Sequence, residues 1–239
     1  MRKVVVIFGA GPGLGASVAR RFGNEGYQVA LVGRRLKPLT ALAEELGQSG
    51  IPAVAFSADL GHTDNAKAVA MNIQDRLGRI DAVYYAPSGT EAFLPAVEMT
   101  VEMTRERTEL MFHGLVAIVN AVLPQMRQRG EGAILAGFGA SAVVGEPFMS
   151  GPAPAQAAAR NYLYSLHGEV LGDGVRVGMV TIAAVIKESA YYQSVLAGAD
   201  DAPDGFEMPL VDPDDLAGQL WEVAAGRGEL EKAFPSAES

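Results

Sequence analysis

Val4-Val5-Val6-Ile7-Phe8-Gly9-Ala10-Gly11-Pro12-Gly13-Leu14-Gly15-Ala16-Ser17-Val18-Ala19-Arg20-Arg21-Phe22 decides the fold. Five apolar residues stop at alternating glycines, and Ala16, Val18, Ala19 and Phe22 then recur at helical spacing. The order predicts a buried strand, a tight turn and a helix. Glycine reaches positive φ without steric cost and lets backbone N–H groups approach a pyrophosphate, while the helix N-terminus faces the phosphate charge. The position directly after a buried strand separates a dinucleotide-binding turn from an ordinary one. Two spacings are present. Gly11-Pro12-Gly13-Leu14-Gly15-Ala16 fits G-x-G-x-x-A, and Gly9, Gly13 and Gly15 fit G-x-x-x-G-x-G.

A second apolar strand, Tyr27–Val32, ends at Gly33-Arg34-Arg35. At this point of a dinucleotide fold an acid accepts from the 2′-hydroxyl of NAD, whereas an arginine accommodates the 2′-phosphate of NADP. No acid is present, so the reading favours NADP(H) over NAD(H), with Arg34 as phosphate partner and Arg35 beside it. The competing account is a solvated basic turn heading the next helix.

Composition narrows the function classes. A net charge of −9 over 239 residues argues against nucleic acid, which needs clustered Lys and Arg. The absence of cysteine excludes disulfides, thiolate metal sites and cysteine nucleophiles. The opening apolar run is too short for a signal peptide and no 18-residue apolar stretch is expected, which places the chain in the cytoplasm and off the membrane. The cluster Asp59, His62 and Asp64 reads as a helix start with Thr63 or Asp64 as cap, and no metal site is expected.

Helix is expected over 37–49 and, broken near Pro124, over 100–129; further strands over 51–58, 80–85, 132–137 and 175–182. Residues 187–211 read as a lid, with 198–209 a mobile acidic loop. Asp212 caps a last helix that carries Trp221, and the tail frays from Glu229. The sum is one α/β domain over 1–239, a doubly wound (Rossmann), mainly parallel sheet with helices on both faces.

The spacing Gly9-x-x-x-Gly13-x-Gly15 with its Ala-Arg-Arg-Phe helix, the run Gly114–Met126 and the run Ala157–Leu166 resemble the short-chain dehydrogenase/reductase family. The resemblance implies an adenine contact at Asp59 and Leu60, Ala86 where the family carries Asn-Ala-Gly, and a backbone contact from Ile186 to the nicotinamide amide. With Gly9, Gly11, Gly13, Leu14, Gly15, Arg34 and Arg35 these form the expected cofactor end. It also implies assembly as a homodimer or homotetramer through the fifth and sixth helices.

The same alignment puts the family's active-site Asn, Ser, Tyr and Lys on Met111, Gly139, Pro152 and Gln156. In the family the Tyr hydroxyl exchanges a proton with the substrate oxygen, its pKa lowered by the Lys ammonium, and the Ser holds that oxygen. Pro152 has no proton to transfer and Gln156 no charge, and no Tyr-x-x-x-Lys occurs in the chain. Ser141, Tyr85 and Lys187 are the replacement candidates, and His113 reads as a packing or interface residue. Two functions follow. One is an NADP(H)-dependent oxidoreductase acting on a carbonyl or alcohol. The other is a non-redox protein that binds a nucleotide or small molecule as regulator, partner subunit or catalyst.

Overall fold

In the computed structural model, which describes residues 1–88, 93–198, 202–203 and 207–235, the apolar runs form buried strands. The strands are β1 (Val4–Phe8), β2 (Gln28–Gly33), β3 (Ala53–Ser57), β4 (Ala82–Tyr85), β5 (Gly132–Gly139), β6 (Val175–Ile182), β7 (Val185–Ile186), β8 (Leu210–Val211) and β9 (Glu231–Phe234). The helices are α1 (Leu14–Asn24), α2 (Leu36–Gln48), α3 (Thr63–Leu77), α4 (Val101–Thr108), α5 (Gly114–Arg129), α6 (Ala153–Val170), α7 (Ala190–Leu196) and α8 (Pro213–Ala224). Seven strands make one parallel sheet in the order β3-β2-β1-β4-β5-β6-β9, while β7 and β8 pair separately.

Parallel neighbours need crossovers, and the crossover helices bury both faces. Successive β1 residues point to opposite sides: Val5 and Ile7 pack with α1, α2 and α8, whereas Val4, Val6 and Phe8 pack with α3, α5 and α6. Trp221 of α8 closes the first layer, its ring 5.1 Å from Phe22 and 6.0 Å from Tyr27 in edge-on geometry. The sheet order reverses between β1 and β4, and the crevice beyond the carboxyl ends of those strands is where such sheets take ligands.

The long helix is not broken at Pro124. That proline lies inside α5, and the carbonyl it leaves without an N–H partner belongs to exposed Asn120. The irregularity is instead one π-helical turn, Glu109–His113, between α4 and α5. The continuous segment Val101–Arg129 does hold an 18-residue window of mean hydropathy 1.3, contrary to the expectation of no such stretch. In this fold it buries Leu115, Ile118, Val119, Val122 and Met126 against the sheet and α3.

Nor, up to residue 235, is the tail frayed from Glu229; residues 236–239 lie outside the described residues. Residues 231–234 form β9, pairing with β6 from Met179↔Glu231 to Ile182↔Phe234. Glu231 accepts from Arg160 Nε at 2.8 Å and Nη2 at 2.6 Å, and from the Tyr164 hydroxyl, so α6 clamps the edge strand. Asp212 caps α8 as expected, its Oδ1 accepting from the Asp214 N–H at 3.0 Å, with Pro213 in the first turn. Half of the expected acidic loop, at 199–201 and 204–206, lies outside the described residues.

The opposite, N-terminal end of the sheet is tied by a buried carboxylate. Asp81, 2% exposed, accepts from the Val4 N–H at 2.8 Å and from Arg79 Nε at 2.7 Å, and Arg79 Nη2 also reaches it. Arg129 stands 3.7 Å from the same carboxylate and donates to the Ile80 carbonyl at 2.6 Å.

Candidate nucleotide-binding cleft

The β1–α1 turn lies at the carboxyl end of the sheet, its Gly9 and Ala10 N–H groups both donating to the Val32 carbonyl, at 3.0 and 2.9 Å. Gly9 has φ +88°, and a Cβ there would stand 2.8 Å from Pro87 Cα and N. Gly13 has φ +77°, and its Cβ would meet the Ser189 backbone at 3.1 Å. Gly15 is fixed by close approach, 3.3 Å from Ala10 Cα, whereas a Cβ at Gly11 would have 3.9 Å to its nearest neighbour. Geometry therefore demands glycine at 9 and 13 and favours it at 15, so the G-x-x-x-G-x-G reading describes the turn.

α1 begins at Leu14 with Gly13 as N-cap, no capping side chain and no acid in its first turn. Its positive end is thus left for an external anion. Leu14 itself is 6% exposed and packs over Gly137 of β5. Arg34 and Arg35 follow β2 as exposed side chains, and neither has an ion-pair partner among the described residues. Asp59 is exposed and turns back on the Gly61 N–H at 3.0 Å, while Leu60 is buried. Ala86 donates its N–H to the Phe8 carbonyl at 3.2 Å and places its own carbonyl 2.9 Å from the Cβ position of Gly9. The chain so brings Gly9, Gly13, Gly15 and Ala86 together, with Arg34 and Asp59 at neighbouring strand ends.

A strap, residues 187–189, borders the turn. β7, which contains Ile186, pairs with β8, and the Lys187 N–H donates to the Val211 carbonyl at 3.0 Å. The Lys187 carbonyl then comes within 3.2 Å of the Cβ position of Gly13. Glu188 adopts φ +63° and sets its carboxylate 3.7 Å from Arg20 of α1. The strap falls within the lid expected over 187–211, but its approach to Gly13 is made by backbone and so is not signalled by residue types.

The expected chemical end is arranged without a proton donor. Pro152 is the N-cap of α6, and its carbonyl accepts from the Gln156 N–H at 3.0 Å. Gln156 Oε1 accepts from the Gly139 N–H at 3.0 Å, a bond between two of the aligned positions that residue types alone do not reveal. Met111, in the π turn, is 5% exposed. Of the replacement candidates, Tyr85 is corrected to a core residue: it is 2% exposed, its hydroxyl donates to the Leu110 carbonyl, and burial pushes its phenol well above the ordinary range. Lys187 stands 3.7 Å from Asp212 and is half-exposed. Ser141 alone faces the Gly139–Gln156 contact, its hydroxyl buried and unpaired.

Neither Thr63 nor Asp64 caps α3. His62 occupies the N-cap position without a side-chain bond, and Glu109 of the π turn accepts from the Thr63 N–H at 3.0 Å and from the Thr63 hydroxyl. Glu109 also takes His113 Nδ1 at 2.8 Å, so His113 closes a local clasp. The Thr63 and His113 bonds hold the Glu109 carboxyl at about 2, below its ordinary 4.5. A carboxyl lowered by folding stabilises above its unfolded value, and that contribution fades as pH falls from 4.5 towards 2. Wild type and Glu109→Gln should therefore differ in urea midpoint at pH 6 and converge as pH approaches 2.5; a constant gap would refute the clasp.

Among the described residues no group of three or more His, Asp and Glu is placed to hold a metal. The glycines of the turn, the uncapped α1 N-terminus and Arg34, without an ion-pair partner among the described residues, leave this end of the sheet suited to an anion.

A family model described as short chain dehydrogenase matches residues 3–192. A dehydrogenase/reductase SDR family member 7B from Danio rerio is 30% identical over 75% of this chain and 60% of its own length. The chain thus spans under two thirds of that relative. An uncharacterized oxidoreductase from Myxococcus xanthus is 27% identical over 98% of this chain and 87% of its own. Among solved structures, an actinorhodin polyketide ketoreductase with NADPH superposes with a TM-score of 0.85 at 20% identity, covering 97% of this chain and 95% of its own.

Proposed function

The chain belongs to the short-chain dehydrogenase family, and from that membership we propose that it is an oxidoreductase that binds NADP(H) and acts on a carbonyl or alcohol without a tyrosine–lysine pair. The observation that carries this reading is the uncapped α1 N-terminus behind a turn that excludes side chains at Gly9 and Gly13. The polyketide ketoreductase of like fold was solved with NADPH, which supports the choice of ligand.

Bound NADPH supplies a hydride from its nicotinamide ring. The Leu14 and Gly15 N–H groups at the start of α1 would hold the pyrophosphate, Arg34 the 2′-phosphate, and Asp59 and Leu60 would border the adenine; the Ala16 N–H is already taken by the Gly11 carbonyl at 3.1 Å. Ile186 presents backbone to the nicotinamide amide. Pro152 gives no proton and Gln156 no charge, so turnover lacks the roughly 10²–10⁴-fold that a positioned general acid contributes. The Gln156–Gly139 bond favours a second reading, a binder in which the dinucleotide is held without being consumed. The proposal includes self-association through the faces of α5 and α6, which a monomer mass in light scattering would overturn.

Titration with NADPH and NADH, followed by nicotinamide fluorescence and calorimetry, tests the cofactor end. Arg34→Ala is expected to weaken NADPH about 10–100-fold and leave NADH unchanged, since a lost charge-assisted phosphate contact is worth roughly 1.5–3 kcal/mol. An unaltered NADPH/NADH ratio removes Arg34 from the site. Binding of neither dinucleotide ends the oxidoreductase reading, and binding without NADPH loss across a panel of ketones and quinones selects the second.

A further inference from the structure

The N-terminal end of the sheet carries a polar depression, on the far side of β1 from the dinucleotide turn. It lies between the end of α3 and the end of α5, has a volume of about 380 Å³, and is lined by Met1, Gly78, Arg79, Gln125, Gln128 and Arg129. That volume falls at the lower end of the range for small-molecule sites. Asp81 holds the Val4 N–H at this end of β1, whereas Gly9 follows Phe8 at the other.

Two guanidinium groups converge here on one carboxylate oxygen. Arg79 Nη2 donates to Asp81 Oδ1, and Arg129 Nη2 stands 3.7 Å from the same atom. Glu131 is 3.9 Å from Arg79 but also accepts from Lys3. Three cations thus share two carboxylates, and one positive charge is left over in a chain whose net charge is −9. Both arginine side chains are about three-quarters buried, so a further charge pairing there is screened less than at an open surface. Service to the C-termini of α3 and α5 accounts for cations at this place. It does not account for their unused donors. Arg129 Nε is buried without an acceptor, and among the described residues the Nη1 groups of Arg79 and Arg129 and the carboxamides of Gln125 and Gln128 make no hydrogen bond. Native chains keep unmade buried donors chiefly where water or a ligand completes them.

Four donor groups around one space, two of them cationic, define what it can hold. An apolar guest would dry the guanidinium N–H groups without pairing them, which is unfavourable. A carboxylate brings two oxygens, whereas a phosphate brings at least three and takes guanidinium edges by charge-assisted bonds. We infer that Arg79, Arg129, Gln125 and Gln128 bind a phosphate oxyanion, inorganic or as the ester of a small polar molecule, at a site separate from the dinucleotide cleft. The arginines take the phosphate. Gln125 and Gln128, three residues apart on α5 and so on one face, take the hydroxyls of an ester. Occupancy stabilises the folded chain by mass action. The inference goes beyond the proposed function and does not depend on it, since no cleft residue takes part.

Titration of the isotope-labelled full chain with inorganic phosphate and with glycerol phosphate, at an ionic strength held constant with chloride, tests it by NMR. Both probes are expected to shift the Gly78, Arg79, Gln125, Gln128 and Arg129 resonances saturably. Arg129→Gln should weaken that response about 10–100-fold, the worth of a lost charge-assisted contact. Gln128→Glu, a change at an exposed position of the wall, should weaken it comparably by placing a carboxylate where the anion binds, and keeps the test decisive if Arg129→Gln does not fold. Arg34→Ala, at the other end of the sheet, should leave it unchanged. Glycerol phosphate binding about tenfold tighter than inorganic phosphate, with the advantage lost in Gln125→Leu, assigns the site to an ester; equal binding assigns it to the inorganic anion. Shifts confined to Gly9–Gly15, a response that does not saturate, an equal response to chloride, or indifference to both Arg129→Gln and Gln128→Glu each overturns the site. Failure of NADPH and NADH to bind would refute the cofactor reading and leave this site standing.

Discussion

Pro152→Tyr combined with Gln156→Lys is expected to raise NADPH-dependent ketone reduction by about 10²–10⁴-fold over the parent chain, the contribution of a positioned proton donor. The two positions are one helical turn apart on α6, joined by the Gln156 N–H to Pro152 carbonyl bond at 3.0 Å, and so share a face. Pro152 has φ −84° and ψ −30°, a helical conformation that tyrosine adopts without strain. An ammonium at 156 would lower the phenol pKa towards neutrality by favouring the phenolate. Its side chain gives up the bond to the Gly139 N–H, so the single substitutions are needed as controls. The readout is loss of NADPH absorbance with a ketone panel. A double variant that binds NADPH as tightly as the parent but consumes no more of it would show that the cleft does not align ring and carbonyl. The binder reading would then stand in place of the oxidoreductase.

The second large effect lies at the other end of the sheet. Asp81→Ala should destabilise the chain by about 3–5 kcal/mol, the range for removing one partner of a buried ion pair. The substitution leaves Arg79, about a fifth exposed, without its carboxylate, and orphans the Val4 N–H that begins β1. Arg129 loses the opposite charge 3.7 Å away. Urea unfolding at neutral pH measures the change, and a loss below about 1 kcal/mol would mean that the arginines find other partners. Arg34→Ala serves as a surface reference that should leave the midpoint in place.

The features legible in the sequence are those where local chemistry leaves one solution. A five-residue apolar run followed by Gly9, Gly13 and Gly15 forces a strand into a turn of positive φ, and the turn forms as read. Asp212-Pro213 announces a helix start by the same logic. Features missed are those whose partners lie far along the chain. β9 has only four residues and a charged pattern, and Arg160, 71 positions earlier than Glu231, holds it in place. The cap of α3 comes from Glu109, 46 positions after Thr63, and no rule of adjacency points to it. Gln156 could be placed on its helix from sequence, but its bond to Gly139 depends on how α6 meets the end of β5. Tyr85 was ambiguous because strand alternation sends it and Tyr84 to opposite faces, and both faces here are core.

The strap against Gly13 has a kinetic meaning for the proposed function. Residues 187–189 form one wall of the phosphate turn and lead directly into α7, whose Tyr191 ring lies 6.0 Å from Phe93 after β4. The same short segment therefore touches the place where the dinucleotide must settle and carries the residue that meets the opposite loop. Under the proposed function, a shift that seats the pyrophosphate would be carried along this segment to that aromatic contact. Under the same proposal the expected order is dinucleotide first and second ligand after it, which product-inhibition kinetics would test.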